Sequence, residues 1–182
     1  MIAVAAVAAA TALASPGDAS VVPWPIGRGP RFLPPARSAT VTNAQPVGRL
    51  RCLSSGRFAP LHIELFADRR VIVVPAGIGI AGPWKGCSYP ARTREPTGVV
   101  QVLVGSRLRM GDLFKIWGQP LGTHRIASFR STLPVRAYVN GKRVPGDPRT
   151  IPLVPGAQIV LELGRYLTPH PSFLFPKEGG EA

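Results

Sequence analysis

Two cysteines and three histidines are all that this chain of 182 residues offers for thiol or metal chemistry. His62, His124 and His170 stand far apart in sequence, and neither they nor Cys52 and Cys87 follow a zinc-binding spacing. The motifs of the commoner catalytic machineries are also missing. There is no G-x-S-x-G, no H-E-x-x-H, no Walker loop and no G-x-G-x-x-G opening a helix. Gly77-Ile78-Gly79 lacks both a third glycine and a following helix, which argues against a phosphate loop. Acid is scarce: nine Asp and Glu stand against 22 Lys and Arg, a formal net charge of +13. Arg outnumbers Lys eighteen to four, and no four basic residues adjoin. That dispersion matches no nucleic-acid-binding motif. It leaves attraction to anionic envelope polymers or headgroups, or a plainly solvated basic surface.

What the chain does have begins with Ile2 to Ala14, IAVAAVAAATALA, an apolar run that ends in the small-x-small pattern of Ala12-Leu13-Ala14. As a helix it would span only about 20 Å, against a bilayer core of ~30 Å. It reads as a signal peptide over residues 1–14, although the usual positive start is missing. The protein is therefore expected to be secreted or extracytoplasmic, in the cell envelope. The alternative is an N-terminally anchored protein, with membrane contact only if the segment stays uncleaved. In an exported chain two cysteines pair. Closing a loop of about 35 residues stabilises the fold by roughly 3–4 kcal/mol in the chain-entropy view. The other reading of Cys52 and Cys87 is a thiol or metal site.

Residues 15–50 are rich in Pro, Gly, Ala and Arg without periodicity and read as a linker or arm. A folded domain is expected over 51–164, with a frayed tail at 165–182. Within it, Leu61–Ala67 and Arg70–Pro75 read as a hairpin turning at Asp68-Arg69. Residues 76–84 read as a Gly-rich turn or crossover, and Gly98–Val104 as a strand. Residues 107–117 change to a helical period that fits about two turns before Gly118 and Pro120. Asn140-Gly141 marks a second hairpin between Val135–Asn140 and Lys142–Val144, and Gln158–Leu163 closes the fold. The expected class is α+β: mainly β-strand, a single short helix on a mixed sheet, β-grasp-like. The alternative is a β-sandwich. The expected core comprises Leu65, Val73, Val100, Val102, Leu113, Phe114, Trp117, Val139 and Leu161.

Several runs resemble an uncharacterised family of exported bacterial domains: VPAGIGI at 74–80, MGDLFKIWGQPL at 110–121, VNGKRVPGDPRTIPL at 139–153 and AQIVLELG at 157–164. The resemblance covers most of the stretch from Cys52 to Gly164 and places both cysteines at family positions. It also implies two histidine clusters, H-I-H-A-H-L and L-H-T-H-D-x-x-G-I-I-H, with the look of a transition-metal site. Here the first cluster falls on Phe58, Pro60 and His62, and the second on Arg92, Arg94 and Gln101. Five of the six positions are thus not histidine. Two arginines would repel a cation and could instead hold a carboxylate or phosphate.

The candidate ligand-binding residues are therefore His62, Glu64, Arg92, Arg94 and Gln101. Glu64 joins the set because it follows His62 at i+2, on the same strand face. No cofactor, catalytic residue or metal site is indicated. The expected function is a non-catalytic exported or envelope-associated domain binding an anionic ligand. The alternative is a metal-binding protein or metalloenzyme with a degenerate site around His62.

Overall fold

The computed structural model describes residues 44–81 and 86–165. The expected signal peptide, most of the expected arm, the end of the Gly-rich crossover and the tail beyond Arg165 lie outside the described residues.

The first hairpin forms where expected. Strand β1 (Phe58–Ala67) turns at Asp68-Arg69 into β2 (Arg70–Ile72), pairing Leu65 with Ile72 and Ala67 with Arg70. Both turn residues have positive φ, 48° and 66°. That is the backbone a two-residue turn needs to match the twist of its strands. The chain then forms β3 (Ala91–Arg92) and β4 (Val99–Leu103), followed by helix α1 (Met110–Trp117). Three two-residue strands come next: β5 (Leu121–Gly122), β6 (Arg125–Ile126) and β7 (Phe129–Arg130). The second hairpin joins β8 (Arg136–Val139) to β9 (Lys142–Val144) through Asn140 and Gly141, at φ 49° and 75°. A 3-10 turn at Pro148–Thr150 precedes the closing strand β10 (Gln158–Leu163).

Seven of these strands form one mixed sheet, in the order β3-β4-β1-β10-β8-β9, with β2 on β1. β1 and β10 run parallel at its centre, with six residue pairs from His62–Gln158 to Ala67–Leu163. Hairpin, helix, second hairpin and central closing strand give the β-grasp-like layout expected, and a single large sheet replaces the two layers of a sandwich. β4 and β2 share one edge of β1 end to end. β4 takes residues 58–62 and β2 takes residues 65–67. The short strands β5, β6 and β7 form a separate antiparallel sheet.

Alternation along β1 puts Leu61, Ile63, Leu65 and Ala67 on the face where the main core lies. The helix supplies Met110, Leu113, Phe114, Ile116 and Trp117 to that core. Trp117 is fully buried, with its ring 5.3 Å from that of Phe114. Gly118, at φ 70°, ends α1 in a Schellman turn: its N–H reaches Lys115 O, and the N–H of Gln119 reaches Phe114 O. Eight of the nine expected core residues are buried. The exception is Val139, half-buried because it sits beside the exposed hairpin turn and pairs with Lys142 on the outermost strand.

The folded body also starts earlier than residue 51. Val47 and Leu50 bridge each other, Leu50 is buried in the main core, and the Tyr89 hydroxyl donates to the carbonyl of Gln45.

Candidate functional site

On the opposite face of β1 the alternating residues are Phe58, Pro60, His62, Glu64 and Phe66. Sequence alternation would allow this face to be open to water, yet it is not. His62 is 2% exposed, Glu64 3% and Phe66 1%. The neighbouring strands bring the remaining candidates to the same face. Pro60 pairs with Gln101 on β4, and Gln101 pairs with Arg92 on β3. Five of the six positions singled out in the sequence thus lie on three adjacent strands, and Arg94 follows β3 in the loop that leads to β4.

Within this group two clusters separate. His62 Nδ1 lies 3.8 Å from Glu64 Oε1, while its Nε2 is 3.2 Å from the carbonyl oxygen of Thr97. The fit behind His62 is tight, and Gly98 makes it possible. At φ 81° it adopts a backbone that L side chains rarely take, and a Cβ there would press on Ile63 O and the His62 ring. His62 and Glu64 therefore form a packed interior pair.

Arg92, Arg94 and Gln101 form the other cluster. Arg92 Nε donates to Gln101 Oε1 at 2.9 Å, and Arg94 Nε donates to the same oxygen at 3.4 Å. Arg92 Nη1 donates to Ser88 Oγ at 3.0 Å, and its guanidinium stacks 3.8 Å above the Phe58 ring. Burial, and then the charge of Arg94, lower the Arg92 pKa from its ordinary value. Arg92 is half-buried and Arg94 is exposed. Among the described residues, no carboxylate comes within ion-pair distance of either. Two guanidinium groups thus converge on one neutral amide, the first pinned by Gln101 and Ser88 and stacked on Phe58.

The structure brings together Arg92, Arg94 and Gln101 as the sequence suggested, and sets His62 and Glu64 apart in the interior. Sequence reasoning missed Ser88 as a partner. Its signal was adjacency to Cys87, since the Cys52–Cys87 disulfide holds this segment against residue 53. Among the described residues, no three His, Cys, Asp or Glu side chains are placed to hold a metal ion together. No described helix is long and apolar enough to cross a membrane. Comparison with known proteins finds no matching family model, curated protein or solved structure.

Proposed function

We propose that this protein is a non-catalytic, exported or envelope-associated domain that binds a small anion through Arg92 and Arg94, with Gln101 and Ser88 fixing the first guanidinium. The observation that carries this reading is the convergence of two arginines with no carboxylate between them among the described residues. Like charges held close disfavour each other, and an anion relieves that strain. Guanidinium groups meet carboxylate or phosphate oxygens in pairs, so phosphate or citrate fits the two arginines. Export rests on the apolar start of the sequence, and the disulfide is compatible with it. The metal alternative around His62 has less behind it: among the described residues no three His, Cys, Asp or Glu side chains are placed to hold a metal ion together, and the second histidine cluster of the resemblance falls on Arg92, Arg94 and Gln101.

The test is calorimetric titration with phosphate and citrate at low ionic strength. Saturable binding that Arg92→Ala and Arg94→Ala each weaken about ten-fold, roughly 1.4 kcal/mol, supports the reading. Unchanged binding in the double variant removes it. A stoichiometric zinc or copper site lost in His62→Ala would favour the metal alternative instead.

A further inference from the structure

The position after the glycine of a Schellman turn ordinarily carries an apolar side chain that packs back on the helix. Here it carries Gln119, which is only 7% exposed. Among the described residues no protein group is seen to hold its side-chain amide, which is not one of the fully buried polar atoms left without a partner. Gln119 lines a cleft of about 770 Å³ between the Val47–Leu50 turn, α1 and the Asp147–Thr150 segment. That volume falls within the ~300–1,000 Å³ of small-molecule sites.

The walls are of two kinds. Val47 and Leu121, both half-buried, supply apolar surface. The charged side is unbalanced. Asp112 Oδ2 lies 3.5 Å from Arg49 Nη2, and Asp147 is held by the guanidinium of Arg149. Both carboxylates are therefore already engaged. Arg109 and Lys115 also line the cleft, are exposed, and have no carboxylate within ion-pair distance among the described residues. The cleft lies on the helix side of the sheet, whereas Arg92 projects from the opposite face.

We propose that this cleft is a second ligand site, for a small organic carboxylate that also carries an amide and an apolar group. The amide of Gln119 complements the ligand amide as donor and acceptor. Arg109 and Lys115 meet the carboxylate, and the half-buried Val47 and Leu121 take the apolar group. The chemistry is that of an acylated amino acid or the free carboxyl end of a short peptide.

The experiment is a titration followed by backbone amide chemical shifts, with N-acetyl-leucine as probe and its uncharged carboxamide as control. Saturable shifts confined to residues 47–49, 109–121 and 147–150 are expected. The carboxamide should bind about ten-fold more weakly, as should N-acetyl-leucine to the Arg109→Ala, Lys115→Ala double variant. Gln119→Leu should lose binding while its Tm holds or rises, because leucine suits the apolar position that the amide occupies. No saturable shift up to about 10 mM probe, equal binding of the carboxamide, or shifts centred on Arg92 and Arg94 would each overturn the proposal. So would a drop in Tm for Gln119→Leu, which would give the amide a structural role. The exposed double variant keeps the binding arm readable if the leucine variant fails to fold.

Discussion

Trp117 and Asp147 show how differently single residues act on this fold. Trp117 is fully buried against Phe114, so its ring is a large part of what fixes the helix to the sheet. Trp117→Ala should lower the unfolding free energy by roughly 3–5 kcal/mol, read by urea denaturation. An unchanged midpoint would mean that the helix is not held by this contact. Asp147 acts through charge. Its hydrogen bonds from the Arg149 side chain, with smaller help from the backbone N–H and charge of the same residue, outweigh burial and hold its pKa below the ordinary carboxylate value. The contribution is therefore complete above the unfolded carboxylate pKa, near ~3.9, and fades as pH falls through the folded one. The stability difference between the native protein and Asp147→Asn should be constant from neutral pH to about pH 5 and shrink below pH 4. Thermal unfolding across that range measures it, and a gap that widens with acid would contradict the assignment. Residue by residue, the sequence showed the Arg92, Arg94 and Gln101 group through its resemblance to other chains. It could not show that His62 and Glu64 are interior. Alternation assigns a residue to a face, but only the tertiary fold decides whether that face is covered.

Among the elements, the segment that carries the disulfide has a role beyond cross-linking. Cys52 and Cys87 are bonded, Leu53 and Ser88 bridge beside them, and Ser88 accepts from Arg92. The covalent link thus reaches the base of the proposed anion site through one hydrogen bond. Replacing both cysteines by serine should cost roughly 3–4 kcal/mol, seen as a lower denaturation midpoint, and should weaken phosphate binding further than the loss of stability explains. Intact binding in a folded double-serine protein would show that Ser88 holds its place unaided. Elements with strong local chemistry were legible in the sequence. The Asp68-Arg69 and Asn140-Gly141 turns and the Gly118 stop all fall where they were read. The two-residue strands β3, β5, β6 and β7 were not, because two residues cannot display a period.

The whole molecule depends on its last strand. β10 lies between β1 and β8, and Ile159, Leu161 and Leu163 from it are all buried in the main core. A chain ending at Gly156 would leave two strand edges open and the core short of one wall. It should show no cooperative unfolding transition and poor dispersion of its amide resonances. A folded truncated protein would mean that the two hairpins and helix suffice without the central strand. The β-grasp-like plan itself was readable from the order of hairpin, helix, hairpin and closing strand. The neighbour of each strand was not, since β1 meets residues about a hundred positions away in β10.

The parallel placing of β1 and β10 has a mechanical consequence. Beyond the Val47–Leu50 turn and the disulfide, β1 is the first strand of the sheet and β10 the last, so tension applied at the start of β1 and the end of β10 pulls these neighbours in opposite directions along their length. The six register pairs between them are then loaded together in shear, where an antiparallel terminal pair would open one rung at a time. A protein tethered at one end and tugged at the other would resist stretching at its centre before any edge strand peeled away.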